Sequence, residues 1–445
     1  MRILLILPHD RIYRYRGPFK RLLVYAPLAL TTLAALVPEE LDAHIDIVDE
    51  GVQKPDYEGK VYDVVGITCV ASSSTRAYSL TEYWQAKGAF VVLGGVHPTL
   101  MPEEAGKHAD AVVVGLAEDT WPRLLRDWKA GTVKKMYCAD YRKELSCPAP
   151  KRELQAKHRY LPVATVIANR SCTNHCEYCS VHRFFGRKSV TRPIPEVVDE
   201  IKHLNARGVM FYDPNLISDR EYAKRLLEAL IPLRLRWGGS ATVDIVYDKE
   251  FLELAVKSGC EGFLFGFESF SQSSLNGSGK SFNQVSKYKE AVKIMHDHGM
   301  SVLGCFVLGF DGDTKEGLER MVQIVDDLEV DLPRYTVLTP FPGTNLFSRL
   351  EEEDRILTRD WSLYDSEHVV FRPKQMAAWE LQQILHSTWK RSFSTSRIIR
   401  RVARTRKNRL LNLTASLGIR YYAHGLAGEG LEHLDLLANL QVCES

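Results

Sequence analysis

Three closely spaced cysteines are the strongest chemical signal in the sequence. Cys172, Cys176 and Cys179 have a C-x3-C-x2-C spacing on one short polar segment. Thiolates placed so closely could bind three corners of an iron–sulfur cube, which ordinarily takes four thiolates. The local sequence supplies no fourth cysteine, so one iron would stay open to a substrate or a cofactor. A purely structural metal site would instead be closed by its protein ligands.

Two other interpretations of these cysteines stay open on the sequence alone. A structural zinc ion could take them together with His175 or His182, although the spacing differs from the usual paired C-x2-C ligands. They could also be unrelated core residues, since free cysteine often behaves as a small apolar side chain. The basic Arg170 before the cluster and the aromatic Tyr178 before its last cysteine favour the iron–sulfur interpretation.

The overall composition is that of a globular protein without a strong charge. The 445 residues carry a net charge of +2 and are 26% charged, and the mean hydropathy is −0.19. This balance gives no argument for nucleic acid or for a membrane surface as a partner. No stretch approaches the roughly 18 apolar residues of a spanning helix. The N-terminal apolar run is too short for an export signal, so we expect a cytoplasmic protein.

Strand-like and helix-like segments alternate through residues 1–130. This alternation predicts a doubly wound parallel sheet of the Rossmann or flavodoxin type, which binds ligands at the carboxyl ends of its strands. Residues 131–160 contain Pro148 and Pro150 and are predicted to be a linker. The predicted strands are Arg2–Leu7, Ile45–Asp49, Val64–Thr68, Phe90–Leu93 and Ala111–Val114.

The alternation resumes with longer units in residues 161–345, and the cysteine motif directly follows the first strand there. Six strand–helix units are fewer than the eight of a closed barrel, so we expect a partial (β/α)6 barrel. Residues 346–445 are predicted to be a mainly helical C-terminal region. The six predicted strands are Val163–Asn169, Val209–Asp213, Arg236–Thr242, Gly262–Glu268, Val302–Gly309 and Arg334–Thr339.

The cysteine motif and its aromatic residue resemble the hallmark of the radical S-adenosylmethionine (SAM) superfamily. The resemblance implies that Cys172, Cys176 and Cys179 hold a [4Fe–4S] cluster whose open iron binds SAM. It also implies that Tyr178 contacts the nucleoside, with ordinary loop packing as the alternative. One electron from such a cluster cleaves SAM to methionine and a 5′-deoxyadenosyl radical.

Further segments match this family in the expected order along the barrel. Gly266-Phe267-Glu268-Ser269 resembles a segment whose acid lies near SAM, although Glu268 could instead cap a helix. The segment that begins Val307-Leu308-Gly309 resembles the fifth-strand lining of the adenine site, which implies Leu308 and Gly309 as contacts. Tyr212-Asp213-Pro214-Asn215 resembles a segment after the second strand. The candidate acid–base residues are Asp213, Glu268 and Tyr335.

A Rossmann-like domain ahead of such a barrel resembles the cobalamin-binding subclass of the family. Gly94-Gly95-Val96-His97-Pro98-Thr99 is similar to that subclass's Gly-Gly-x-His-Pro-Thr loop. Glycines there would let the backbone approach a nucleotide tail, although a plain tight turn explains them equally well. The Asp-x-His-x-x-Gly signature of an axial histidine is missing, so we expect cobalamin without a protein ligand. The implied cofactor contacts are Ser72, Ser73, Gly94, Gly95 and His97.

These resemblances predict a cobalamin-dependent radical SAM methyltransferase. Its expected methyl acceptor is an unactivated carbon of a small natural-product, sugar or lipid precursor. The alternative is a radical dehydratase, cyclase or rearrangement enzyme whose first domain binds no cobalamin. An electron carrier or sensor would need a closed fourth cluster site. The chemistry implies an external reductant of the flavodoxin or ferredoxin kind, and no nucleic acid partner is expected.

The segment Arg397–Leu411 contains seven basic residues and no acid. Arg397, Arg400, Arg401 and Arg404 recur at helical spacing. A solvated helix face explains the pattern, and so would binding of an anionic substrate, a partner or a membrane surface.

Overall fold

Two six-stranded parallel sheets form the framework of the protein. The computed structural model describes residues 1–10, 24–140, 145–170, 172–186, 188–405 and 409–429, except for the side chains at 411 and 427–429. The first sheet is Rossmann-like and the second forms a partial barrel, followed by a helical C-terminal region. The predicted fold class is therefore confirmed.

The first sheet is doubly wound and is covered by helices on both faces. Its strands are β1 Arg2–Leu7, β2 His44–Asp49, β3 Val64–Thr68, β4 Phe90–Gly94, β5 Ala111–Val114 and β6 Met136–Cys138. Its helices are α1 Ala29–Ala35, α2 Ala71–Gln85, α3 Val96–Leu100, α4 Pro102–His108 and α5 Thr120–Lys129. The strand order is β2-β1-β3-β4-β5-β6. The order reverses beside β1, so ligands are expected at the carboxyl ends of the strands there.

The second sheet runs in strict sequence order from β7 to β12, as an open barrel requires. Its strands are β7 Ala164–Val166, β8 Gly208–Phe211, β9 Arg236–Ala241, β10 Cys260–Glu268, β11 Ser301–Leu308 and β12 Leu332–Val337. Its helices are α6 Val181–Phe184, α7 Ile194–Leu204, α8 Arg220–Leu230, α9 Lys249–Lys257, α10 Gln272–Gly277, α11 Tyr288–Asp297, α12 Lys315–Glu319 and α13 Met321–Asp327. A layer of phenylalanines on the outer face packs the strands against these helices.

Four more helices complete the described chain: α14 Asn345–Glu352, α15 Ala378–Ser392, α16 Thr395–Arg404 and α17 Arg409–Glu429. On α16, Arg397 pairs with Asp326 at 2.7 Å and Arg404 with Glu329 at 3.7 Å, while Arg401 is buried. These arginines of the basic segment therefore fasten the helix to the barrel. Residues 406–408 of that segment and residues 430–445 lie outside the described residues. None of the described helices is long and apolar enough to cross a lipid bilayer.

Two local features differ from the sequence prediction. Strand β6 lies inside the predicted linker and extends the first sheet; only three residues long, it presents a single buried side chain, Tyr137. The serine-rich run Ala71-Ser72-Ser73-Ser74-Thr75 after the third strand is typical in composition of a loop, but helix α2 begins at Ala71 and contains this run. The hydroxyls of Ser73 and Ser74 bond to carbonyl oxygens one turn earlier, which makes a polar run compatible with a helix start.

The chain between the two sheets is fastened to both of them. Arg152 pairs with the buried carboxylate of Glu200 on α7 at 2.5 Å, and Arg192 pairs with the same carboxylate at 2.7 Å. The Tyr160 hydroxyl donates to Asp49 at the end of β2, at 2.8 Å. Residues 145–160 are thus packed in place, while the predicted domain boundaries stay a prediction.

The turn after β4 requires glycine at position 95. Gly95 has φ +96°, and a Cβ there would lie 2.6 Å from Thr68 Oγ1 and 2.8 Å from the carbonyl oxygen of Cys69. The closest obstacle to a side chain is thus the end of the neighbouring strand. This geometry supports the tight-turn interpretation of Gly95.

We expect Gly95→Ala to lower the free energy of unfolding by roughly 2–5 kcal/mol, because it adds a steric overlap to a strained backbone. Gly88→Ala is the matched control: Gly88 has φ +81°, and a Cβ there would meet no atom within 4 Å, so only the backbone strain of about 1–2 kcal/mol applies. Urea unfolding followed by circular dichroism measures both variants. Equal losses would contradict the steric account of the turn.

Candidate active site between the two sheets

The three predicted cluster ligands lie on the loop formed by residues 170 and 172–180, called the cysteine loop below. Cys176 is buried, while Cys172 and Cys179 are partly exposed. Although Cys179 is partly exposed as a residue, the protein packed around its thiol raises its pKa to about 12. Burial also raises the pKa of Cys176, so ligand binding at neutral pH must release protons. Among the described residues, no three His, Cys, Asp or Glu side chains are arranged to hold one metal ion. In a [4Fe–4S] cube each thiolate binds a different iron, so the three cysteines need not converge on a single ion.

A short segment after α10 supports the cysteine loop from one side. The amide of Glu177 donates to the carbonyl oxygen of Ser278 at 3.0 Å. Gly279 has φ +74°, and a Cβ there would lie 2.9 Å from the carbonyl oxygen of His175. The segment thus packs backbone to backbone against the loop, and it delivers Lys280 beside the cysteines.

A buried carboxylate holds the base of the cysteine loop. Asp213 is only 2% exposed and accepts hydrogen bonds from the amides of Asn169 and Ala168. Burial raises the pKa of Asp213 to about 7, against the opposing effect of these amides. Two residues on, the Asn215 amide lies 3.7 Å from the sulfur of Cys172. The structure therefore places Asp213, predicted as an acid–base candidate, under the loop as a buried positioning residue.

Glu268 ends β10 and forms a buried ion pair with Lys280. Their side chains are 2.5 Å apart and only 12% and 9% exposed. Glu268 has φ +66°, a strained conformation that is typical of functional sites. A Cβ at Gly266 would overlap the carboxylate of Glu268. The glycine in the Gly-Phe-Glu-Ser segment therefore makes room for the ion pair, which lies close enough to Cys176 and Cys179 to influence both thiols.

Tyr178 and Gly309 occupy the same end of the barrel. The Tyr178 ring packs edge-on against Phe310, with centroids 5.8 Å apart, and burial raises the pKa of Tyr178 well above its ordinary value. Gly309 has φ +104°, and a Cβ there would lie 2.7 Å from Leu381 on α15. Packing against the C-terminal helix is thus sufficient to explain this glycine.

Two predicted site residues lie on the outer face of the barrel. Tyr335 is fully buried, its hydroxyl lies 2.9 Å from the Ser392 hydroxyl, and its ring contacts Trp389 on α15. The acid–base role predicted for Tyr335 is therefore corrected. The Leu308 side chain is also fully buried in the core, so the predicted contact with adenine could come only from its backbone. Side chains alternate along a strand, and it is Arg334 that borders the open side of β12.

A cavity of about 450 Å³ lies between the two sheets. Its lining is mostly apolar, and it lies at the carboxyl ends of the strands, where a doubly wound sheet binds ligands. Of the implied cofactor contacts, Gly94 and Gly95 border this cavity, whereas Ser73 does not. The barrel contributes residues beside the cysteine loop and after β8, namely Ile167, Asn169, Arg170, Tyr212 and Pro214.

An ion pair crosses this larger cavity from one sheet to the other. Arg170 lies at the start of the cysteine loop, and Glu118 lies in the loop after β5. Their charged groups are 2.8 Å apart, with side-chain exposures of 17% and 3%. A pair so shielded from water fixes the cysteine loop relative to the first sheet.

A smaller cavity of about 280 Å³ adjoins the larger one and shares Val70 and Val96 with it. The predicted residues Ser72 and His97 border this smaller cavity. His97 Nε2 lies 3.0 Å from the Tyr78 hydroxyl and 3.2 Å from Glu104, and burial lowers the pKa of His97. This nitrogen is therefore engaged within the first domain.

Several contacts in the site leave no clear pattern in the sequence. Lys280 follows Glu268 by twelve residues, and only folding pairs the two. Glu118 and Arg170 are 52 positions apart and belong to different sheets. Asn215 was part of a recognised segment, but its contact with Cys172 depends on the path of the chain after β8.

The donor chemistry and the cavities fit the implied cofactors. Three thiols on one loop would supply three ligands of a [4Fe–4S] cluster and leave one iron open, and the Glu268–Lys280 pair would present both charges beside those thiols. The larger cavity offers cobalamin an apolar crevice at the expected edge of the first sheet.

Comparison with known proteins agrees with this geometry. The model of the radical SAM superfamily matches residues 166–325, and the model of the B12 binding domain matches residues 20–125. A bacteriochlorophyllide d C-12(1)-methyltransferase of Chlorobaculum tepidum is 30% identical over 393 residues, which cover 85% of each chain. The chain belongs to the radical SAM superfamily, among its members with a B12-binding domain.

Two further relatives support the same family. A bacteriochlorophyllide d C-8(2)-methyltransferase of Chlorobaculum tepidum is 28% identical, over 88% of this chain and 91% of the relative. The radical SAM methyltransferase TsrM of Kitasatospora setae has the same fold, with a TM-score of 0.65 and 17% identity over 79% of this chain and 76% of that chain. These findings confirm the predicted family and support the predicted cofactors and a radical SAM enzyme of the C-methyltransferase type.

Asp213→Asn is expected to remove a pH-dependent loss of stability. The folded protein holds a proton on Asp213 up to about pH 7, whereas the unfolded chain releases it near pH 4. Rising pH between these values therefore destabilises the wild type relative to the variant. Thermal unfolding of both proteins is measured at pH 4.5 and pH 8, at the same ionic strength. The Tm of the variant, relative to that of the wild type, should be higher at pH 8 than at pH 4.5. A constant difference would contradict the burial argument.

Lys280→Met is expected to make the reduction potential of the cluster more negative. Reduction adds a negative charge to the cluster, and the buried Lys280 ammonium stabilises that charge. Lys280→Arg keeps the charge and should keep the potential, and the exposed Lys287→Met serves as control. Potentiometric titration followed by electron paramagnetic resonance makes the measurement. An unchanged potential in Lys280→Met would refute the electrostatic role.

Proposed function

We propose that this radical SAM enzyme transfers a methyl group to an unactivated carbon of a small molecule held between the two sheets. The observation that carries the proposal is the larger cavity, which the B12-binding sheet and the base of the cysteine loop border together. A cavity that extends from the B12-binding sheet to the base of the cysteine loop would let both reactive centres of a radical methylation act on one bound molecule.

The chain's own residues bind, orient and shield the reactants. When bound, the cluster supplies the electron that cleaves SAM, and cobalamin supplies the methyl group. Asp213 and Asn215 hold the cysteine loop from below. Glu268 and Lys280 offer a carboxylate and an ammonium, which suit the amino and carboxylate groups of the methionine part of SAM. The apolar lining excludes water, which protects a reactive radical from side reactions.

We further propose a tetrapyrrole as the methyl acceptor. Two relatives with extensive coverage are named as bacteriochlorophyllide d methyltransferases, which makes this compound the first acceptor to test. A flavodoxin- or ferredoxin-like protein in the cytoplasm is the proposed electron donor, since a one-electron reductant is required.

The decisive test is anaerobic reconstitution with iron, sulfide and hydroxocobalamin, followed by metal analysis. We expect about four irons per chain together with stoichiometric cobalt. Incubation with bacteriochlorophyllide d, reductant and SAM labelled in its methyl group should give labelled product and 5′-deoxyadenosine. The variant with alanine at all three cysteines of the loop should lose the iron and the 5′-deoxyadenosine but retain the cobalt.

Two results would contradict this proposal. Four irons without retained cobalt would favour the non-methylating radical reaction. Cobalt binding and 5′-deoxyadenosine formation without methylation of bacteriochlorophyllide d would overturn the acceptor and leave methyl transfer itself in place.

A further inference from the structure

Arg334 is a charged side chain on the wall of the smaller cavity. It lies on β12 opposite Cys305 of β11, on the face that alternates with the buried Tyr335. The cavity that it borders is closed on the other side by the first domain, through Ser72 and His97. Arg334 thus points to the space between the two sheets.

The guanidinium of Arg334 forms no ion pair and no hydrogen bond with any residue in the described part of the chain. The acids around it are already engaged. The Asp365 carboxylate lies 2.9 Å from His368 Nδ1 and accepts backbone amides, and Glu367 accepts the Tyr422 hydroxyl at 2.6 Å. Arg334 therefore pairs directly with neither of the two carboxylates on the same cavity wall, Asp365 and Glu367.

Groups inside the barrel do not neutralise Arg334 either. Glu268 is paired with Lys280, and Asp213 accepts backbone amides under the cysteine loop. The Arg334 charge instead acts on two neutral groups, lowering the pKa of the Cys305 thiol and of the Tyr25 hydroxyl against the larger effect of burial. A half-buried guanidinium without a direct hydrogen-bond or ion-pair partner is stabilised by an anionic ligand.

We propose that Arg334 binds a carboxylate of the methyl acceptor and so selects acceptors that carry a free acid. This inference rests on the proposed function, and it narrows the acceptor to a tetrapyrrole with a free propionate. A planar guanidinium binds a carboxylate through two parallel hydrogen bonds, which fixes the orientation as well as the affinity of the ligand.

SAM also carries a carboxylate, so the source of the anion must be decided. The Glu268–Lys280 pair lies beside the cysteine loop on β10, whereas Arg334 lies two strands away on β12. Since Lys280 already offers a positive charge next to the cluster ligands, Arg334 is assigned to the acceptor.

The test uses the full chain, reconstituted with cluster and cobalamin, and compares bacteriochlorophyllide d with its propionate methyl ester. Quenching of the tetrapyrrole fluorescence gives the dissociation constants. The wild type should bind the acid more tightly than the ester. Arg334→Gln should weaken binding of the acid about ten- to hundredfold and leave the ester unchanged, as expected for the loss of a charged hydrogen-bonded pair. Arg334→Lys should restore part of the affinity.

Two controls separate this effect from unfolding and from SAM binding. The exposed Arg225→Gln variant should bind acid and ester as the wild type does. The dissociation constant of SAM, measured by equilibrium dialysis, should be the same in Arg334→Gln and in the wild type.

Three results would overturn the inference. The first is that the wild type binds the acid and the ester equally well, and the second is that it binds neither. The third is that Arg334→Gln weakens the binding of SAM and leaves the binding of the acid unchanged. Cobalt content and 5′-deoxyadenosine formation are measured on the same samples, so a failure of the proposed function would be visible separately.

Discussion

The structure depends on one geometric constraint, which is that the first sheet and the barrel open onto a shared cavity. The first sheet contributes the turn after β4 and the loop after β5, and the barrel contributes the start of the cysteine loop and the loop after β8. The ion pair between Glu118 and Arg170 connects these parts. A buried ion pair adds little net stability, but it disfavours other relative placements of the two elements, because each would leave a charge unpaired. The main effect of the pair is therefore to fix the relative position of the two sheets, and not to raise the free energy of unfolding.

Polar groups beneath the cysteine loop also fix its position. Asp213 is buried in spite of the free-energy cost, and that cost appears as its raised pKa. The hydrogen bonds that Asp213 accepts from the backbone amides of Ala168 and Asn169 fix where the loop leaves the barrel. On the other side, the segment that carries Lys280 packs against the loop through backbone contacts. Support from both sides holds ligand side chains in place before a cofactor binds, which lowers the entropic cost of binding it.

The C-terminal region completes the site instead of merely following it. Trp361 donates its indole N–H to Glu104 of the first domain at 3.0 Å, and the same Glu104 carboxylate lies beside His97. Residues 364–367 border the smaller cavity opposite that domain. On the outer side of the barrel, α15 covers β12 and buries Tyr335. The smaller cavity is thus enclosed by three regions that are far apart in the sequence.

The sequence by itself determined the family, the fold class and the choice of the three cysteines as candidate cluster ligands. These conclusions depend on residue spacing and periodicity within short windows of the sequence. It also placed Glu268 at the end of a strand and Gly94 at the crevice of the first sheet. It could not determine which face of a strand a side chain occupies, since a register shift of one residue exchanges the two faces. For that reason Tyr335 was predicted in the site and Arg334 was not. The pairing of Lys280 with Glu268, and of Glu118 with Arg170, joins distant parts of the chain. Only the tertiary structure could decide those pairings, because the energy of an ion pair depends on separation and burial in space and leaves no pattern in the sequence.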